Sequence, residues 1–328
     1  MAERRRIAIG TENYKRMIDE DYYYVDKTML IKELLDSGGE VTLLTRPRRF
    51  GKTLALSMLR TFFEEEISPD GTRMDNRHYF SGCEILRAGE AYLCHMGKYP
   101  VISLTLKSAK QADYEMAYDN ILDAISREYI RHRYVLLGDS LTEAQRRQYE
   151  DMMNRQAGAS VWTRALAFLS QCLEQYHGRR VIILLDEYDV PLENAYFFGF
   201  YDRMILFIRA LFESALKTND SLELAVITGC LRISGESVFT GLNHMKIASV
   251  LSREFASCFG FTEAEVRAML HAHELDEKEA EVCRWYDGYL FGGVGVYNPW
   301  KEVFADGRAL RQRPGADCGS QLYCRPAG

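Results

Sequence analysis

The sequence predicts an α/β fold in which a parallel sheet is flanked by helices, and three stretches predict it. Val41 to Thr45 is a short apolar run that leads into Arg46-Pro47-Arg48-Arg49-Phe50-Gly51-Lys52-Thr53. Val181 to Leu185 is an uninterrupted apolar run ended by Asp186 and Glu187, and Leu222 to Ile227 is another, ended by Thr228 and Gly229. Short apolar runs separated by long helical stretches read as strands buried on both faces, the pattern of a parallel sheet.

The first run carries the most chemistry. After Thr53 the apolar residues Leu54, Met58, Leu59, Phe62 and Phe63 recur at helical spacing. Glycine, lysine and threonine between a buried strand and a helix form a phosphate-binding loop, because unpaired N–H groups and the positive end of the helix dipole converge on an anion. The tripeptide alone recurs by chance in about one chain in seven of this length, so its context carries the reading. Gly51 lets the backbone approach, Lys52 reaches the β- and γ-phosphates, and the Thr53 hydroxyl completes the shell of a Mg²⁺. Arg46 stands where the full pattern has its first glycine, and Pro47 can set the turn instead. The expected fold is therefore a P-loop NTPase, and residues Arg46, Pro47, Arg48, Arg49, Phe50, Gly51, Lys52 and Thr53 are its expected nucleotide contacts.

Asp186, at the carboxyl end of the second run, is expected to hold the metal, and Glu187 to polarise the attacking water as general base. This pairing reads as a Walker B element with an adjacent catalytic acid. The plainer alternative is a buried strand that ends in a solvated acidic turn. Val190 and Pro191 follow Asp189, and proline favours the first turn of a helix, so Asp189 reads as a turn or cap residue. Thr228 and Arg232 are candidates to sense the γ-phosphate and to stabilise developing charge. Against that stands a strand-capping threonine and a surface arginine paired with an acid.

These stretches, with others, resemble the bacterial AAA-ATPase-like proteins, whose ATPase region often precedes a restriction-enzyme-like nuclease domain. The likeness runs over about residues 8 to 300. It includes Tyr24-Val25-Asp26-Lys27-Thr28, the loop from Arg46 to Thr53, Leu185-Asp186-Glu187-Tyr188-Asp189, Thr228-Gly229-Cys230-Leu231-Arg232, Gly241-Leu242-Asn243, Phe259-Gly260-Phe261 and Trp285-Tyr286-Asp287-Gly288-Tyr289. The resemblance implies a five-stranded parallel core, a helical lid after the sensor strand, and Tyr24 near the base of a bound ATP. From the residues alone, Tyr22 to Tyr24 is an aromatic run beside a charged turn, for which a packing role is the alternative.

Composition bounds the function. With 328 residues, 47% hydrophobic and 27% charged, the chain has ordinary globular make-up and room for a large core. A net charge of -6 does not indicate a broad nucleic-acid footprint. No run approaches the length of a membrane span and no signal-peptide core follows Met1, so a cytoplasmic protein is expected. Eight cysteines without a C-x-x-C pair read as reduced packing thiols. No N-K-x-D segment is present, which favours adenine over guanine.

Between the strand Pro100 to Leu106 and the acidic strand, helical periodicity runs through Ala117 to Tyr134, Leu141 to Arg155 and Val161 to Tyr176. This stretch, about residues 108–178, reads as a helical insertion within a P-loop core of residues 1–250 and offers a surface to an unidentified protein partner. Thr262 and Glu265 have the spacing of a capping box that opens a C-terminal helical lid, residues 251–300. Trp285 to Trp300 is expected to wrap back onto the core. The glycine, arginine and proline-rich residues 301–328 read as a disordered or aberrant tail, a departure from the family pattern that implies truncation or a shifted frame and carries no nuclease activity over. The expected function is Mg²⁺-dependent ATP binding and hydrolysis as a conformational switch. A non-hydrolysing ATP-binding module and an inactive fragment of a longer ATPase-nuclease are the alternatives.

Overall fold

The computed structural model describes residues 5–8, 10–230, 238–239, 245–280, 282 and 287–299. Its first half contains α1 (Tyr14–Asp19), α2 (Met29–Ser37), β1 (Val41–Thr45), α3 (Lys52–Phe63), α4 (Glu90–Leu93), β2 (Val101–Thr105), α5 (Tyr114–Arg131), α6 (Glu143–Met153), α7 (Ala159–Trp162) and α8 (Ala165–His177). Then come β3 (Val181–Asp186), α9 (Val190–Phe198), α10 (Tyr201–Leu216), β4 (Leu222–Gly229), β5 (Met245–Ala248), β6 (Phe261–Thr262), α11 (Glu263–Ala272), β7 (Asp287–Phe291) and β8 (Val294–Tyr297).

Five strands form one parallel sheet in the order β2-β3-β4-β1-β5. This is the mixed α/β architecture with a parallel sheet and flanking helices that the P-loop reading requires. Strand alternation explains why the strands are apolar throughout. Ile183 and Leu185 face a cluster built with α5, α8 and α10, while Ile182 and Leu184 face one built with α3. Ala225 and Ile227 likewise join the first cluster and Leu224 and Val226 the second. A strand with one polar face would leave one of these helical layers without a partner.

The helices expected between residues 108 and 178 are part of that layering. Ala117, Ile121 and Ile125 of α5 and Leu166, Leu169 and Leu173 of α8 share the cluster that covers β3, so α8 is the crossover helix that leads into it. α6 packs outside them through Tyr149 and Met152, and the capping box of Thr142 and Gln145 starts it. On α10 the apolar residues at helical spacing are Tyr201, Met204, Ile205, Ile208, Leu211, Phe212 and Ala215, and all are buried except Tyr201, which is half-buried.

The C-terminal segment differs in texture from a run of short helices. Among the described residues it holds α11, a short 3-10 turn, further helical residues at 279, 280 and 282, and a three-stranded antiparallel sheet in the order β6-β8-β7. Thr262 and Glu265 form the expected capping box at the start of α11. Phe291 and Val296 pack into the cluster beneath α3, so residues 287–299 wrap back onto the core as expected. The tail, residues 301–328, and the motif residues Arg232, Gly241, Leu242, Asn243, Trp285, Tyr286 and Trp300 lie outside the described residues. Among the described residues no helix is long and apolar enough to cross a membrane.

Candidate functional site

A parallel sheet brings every strand's carboxyl end to one edge, and in open α/β sheets ligands bind there. The registers set Leu44 beside Thr228, Thr45 beside Gly229, and Thr105 beside Asp186. The loop after β1, the acid at the end of β3 and the threonine of β4 therefore meet without contacts from their own sequence neighbours.

The loop turns into α3 at Gly51, which is left-handed with φ 81° and ψ 18°. A Cβ there would meet nothing within 4 Å, so glycine is required by the backbone angle and not by crowding. Arg49 is also left-handed, with φ 72°, an uncommon state for a residue with a side chain. Lys52 is buried at the first turn of α3, and its Nζ donates to the carbonyl oxygens of Arg46 and Pro47, 3.0 Å from each. Its Nζ also lies 3.4 Å from Cys230 Sγ. The ammonium is thus held by its own loop, in the position from which it would reach an anion.

Asp186 is the centre of the arrangement. Its Oδ2 accepts from Thr53 Oγ1 at 2.7 Å and its Oδ1 from Thr228 Oγ1 at 2.5 Å. Both the aspartate and Thr228 are buried. Glu187 follows in a left-handed conformation, φ 54°, which separates its side chain from the direction of the strand. Burial raises the Glu187 carboxyl above the usual range, the neighbouring Asp186 charge adds to this, and Lys107 and Lys52 oppose it. A carboxylate with raised proton affinity beside an open cavity suits a proton acceptor.

Other predicted residues are placed less uniformly. Asp189 occupies the N-cap position of α9, with Pro191 in the first turn, yet its side chain makes no cap bond. Its Oδ2 accepts from the Cys230 N–H at 2.7 Å and ties the end of β4 to the acidic turn. Arg48 is exposed and pairs with Glu193 at 3.0 Å, while Arg49 lines the cavity. The side chain of Arg46 departs from the sequence expectation. It is fully buried and turns beneath the loop, because the carbonyls of Thr45, Ala248 and Phe255 and two aromatic rings offer its guanidinium better partners than water at the mouth. Phe50 is likewise buried, against Tyr289 and Phe291.

A cavity of about 390 Å³ opens over the loop. Its charged lining includes Arg48, Arg49, Lys52, Lys107 and Glu187, with Gly51 and Thr53. Its apolar and aromatic lining draws on both ends of the chain, with Tyr23 and Tyr24 from the first and Phe261, Met269 and Pro299 from the second. Tyr24 is fixed there by the Lys27 N–H, which donates to its hydroxyl at 3.3 Å, and by an edge-to-face contact with Tyr14. Lys27 donates to both carboxylate oxygens of Glu265, at 2.6 and 2.7 Å, and so joins the two ends of the chain beside the cavity. The volume lies in the range of small-ligand sites. A hydroxyl and a carboxylate already in contact are the hard oxygen donors that Mg²⁺ accepts, and the lysine and loop arginines suit phosphate, so the residues present fit a Mg²⁺-nucleotide.

Lys107 was not singled out by the sequence reading. It follows β2, the neighbour of the acidic strand, and its Nζ donates to Glu12 Oε1 at 2.7 Å. That bond, with the negative charges of Glu187 and Asp186 beyond it, holds its ammonium above the usual lysine range. A lysine just past an apolar strand was the available signal, and only the strand order gives it meaning.

The chain is 29% identical over 300 residues to an uncharacterised protein in the vnfD 5′ region of Azotobacter chroococcum mcd 1. The match takes in 90% of this chain and 51% of that protein, so the chain spans about half the length of this relative. The sequence profile described as a predicted AAA-ATPase matches residues 8–239. On that match, over a parallel sheet whose ends carry this loop and this acid, the chain belongs to the AAA-ATPase-like family.

Proposed function

We propose that the chain binds ATP together with Mg²⁺, hydrolyses it, and uses the cycle as a conformational switch. The observation that carries this reading is Asp186, which holds Thr53 on one oxygen and Thr228 on the other beside a cavity lined by Lys52 and Glu187. Lys52 leaves the Arg46 and Pro47 carbonyls to pair with the β- and γ-phosphates. Thr53 and Asp186 would hold the metal, which would supply charge neutralisation at the phosphate oxygens. Glu187 takes the proton of the attacking water on its carboxylate, which its burial favours. Thr228 keeps Asp186 oriented, and Arg232 stabilises developing charge. The base lies among the apolar lining near Tyr24. Residues 251–300 act as the lid, and the helices of residues 108–178 present the switch to a protein partner in the cytoplasm.

The test is Mg²⁺-dependent ATP binding and hydrolysis by the purified chain, beside Lys52→Ala and Glu187→Gln. The expected result is loss of binding in the first and retained binding with turnover lowered at least ~100-fold in the second. A wild-type chain that binds ATP without turnover would make it a regulatory module. One that binds none would overturn the reading.

A further inference from the structure

Arg46 is the buried cation of this site, and its surroundings are unusual for a residue in a phosphate-binding loop. It is 0% exposed. Its Nη1 donates to the carbonyls of Thr45 at 2.8 Å and Ala248 at 2.9 Å, and its Nη2 to that of Phe255 at 3.0 Å. The guanidinium lies 5.2 Å from the ring centre of Phe259 and 5.3 Å from that of Phe291, the spacing of cation–π contacts. Its Nε has no hydrogen-bond partner, and the Glu33 carboxylate acts on its charge through space. A buried charge of this kind persists only where the structure around it is well determined.

The same residue is bound on its backbone side to the nucleotide machinery. The Arg46 N–H donates to the Gly229 carbonyl at 3.1 Å, and its own carbonyl accepts from Lys52 Nζ at 3.0 Å. When Lys52 moves to a phosphate, that carbonyl loses its partner. The other end of the loop is fastened to the same segment, since the Phe50 carbonyl accepts from the Gly260 N–H at 3.3 Å and the Phe50 ring meets Phe291 at 5.1 Å.

We infer that Arg46 is a positioning residue that couples the phosphate loop to the C-terminal segment, residues 245–299, so that occupancy of the loop is felt there. The inference rests on the nucleotide reading above and goes beyond it in naming the mechanical link. Arg46 touches no phosphate in this scheme. It converts the release of one loop carbonyl into a change of tension on Ala248 and Phe255.

The experiment is hydrogen–deuterium exchange on the full chain with and without Mg²⁺ and a non-hydrolysable ATP analogue. Wild type, Arg46→Met and Arg46→Lys are compared at analogue concentrations that saturate each by calorimetry. In wild type, amides of residues 248–260 and 287–297 are expected to change protection on binding. In Arg46→Met that change is expected to fall by half or more while the change at residues 51–53 persists, and Arg46→Lys, which keeps the charge with fewer donors, should lie between. A saturated wild type with no change at residues 248–260, or an Arg46→Met variant with the full change, overturns the coupling. If Arg46→Met does not fold, Phe291→Leu decides by the same readout, a diminished change supporting the coupling and a full one overturning it. If calorimetry finds no binding to wild type, the nucleotide reading fails by itself. The coupling is then decided on the ligand-free protein, where Arg46→Met must loosen residues 47–53 and 248–260 together, and loosening of only one overturns it.

Discussion

Asp186 shows how much a single residue's partners decide. An aspartate with both oxygens occupied by threonine hydroxyls is oriented before any ligand arrives, which avoids the cost of ordering it on binding. Thr228→Val keeps the shape of the threonine and removes one of those bonds. It is expected to lower turnover roughly tenfold through misorientation of Asp186, about the effect of one lost hydrogen bond to a charged group, while Thr228→Ser restores it. A Thr228→Val enzyme as fast as wild type in a steady-state ATPase assay would mean that the hydroxyl does nothing for the acid. Lys107 is the second residue-scale test. Its ammonium faces the charges of Glu187 and Asp186, so Lys107→Met should raise the proton affinity of Glu187 further and move the acid limb of the pH–rate profile upward. An unmoved limb would show that the two groups are not coupled.

The elements at the far end of the sheet set the response to acid. Glu64, just past α3, is buried, and although burial would raise its carboxyl, the guanidiniums of Arg131 and Arg60 hold it down to about 2. His177 ends α8 with a buried side chain, where Nδ1 lies 2.8 Å from Glu65 and Nε2 2.9 Å from the Tyr134 hydroxyl. Burial, with Arg73 close by, lowers the His177 imidazole to about 4. The unfolded chain therefore binds a proton at His177 between its ordinary value and about 4 when the folded chain does not, so stability falls as pH drops through that window. Glu64 acts in the same sense lower down, between the ordinary carboxylate range and about 2. Each contributes on the order of 3 kcal/mol at full effect. The melting temperature should be level above pH 7, fall from pH 6 to 4, and fall again below it. Buried His132, lowered in the same direction by burial, acts in the same sense, so His177→Gln should shrink the upper step in a pH series followed by circular dichroism, and an upper step of unchanged size would show that His177 contributes nothing to it. At α11 the capping box gives a smaller quantity: Thr262→Ala should cost about 1 kcal/mol, read as a lower urea midpoint at constant slope.

For the molecule as a whole, the cavity joins segments from both ends of the chain, since Tyr23 and Tyr24 line it together with Phe261 and Met269, and Lys27 bonds Glu265. A ligand bound there would stabilise the whole fold, not the loop alone. At a hundred times its dissociation constant a nucleotide adds about 2.7 kcal/mol, a rise of several degrees in melting temperature, and Lys52→Ala should abolish that rise. A rise of equal size in Lys52→Ala would show that the nucleotide binds somewhere other than this loop.

The sequence by itself determined the fold class and four strands of the parallel sheet, β1 to β4. Uniformly apolar strands have no solvent face, so a sheet covered on both sides was their only stable arrangement, and Gly51-Lys52-Thr53 between strand and helix has few other uses. Local chemistry also sufficed for the capping box at Thr262 and the buried face of α10. Tertiary structure alone decided which loop residues face the cavity. Arg46 stands in the same short run as Lys52, but two of the carbonyls that claim its side chain come from residues some two hundred positions away. The same holds for Lys107, which enters the site only because β2 pairs with β3, and for the C-terminal sheet, whose strands are too short to be read without their partners. Periodicity reports which face of an element is apolar, whereas the identity of what covers it depends on strand order, which no local pattern encodes.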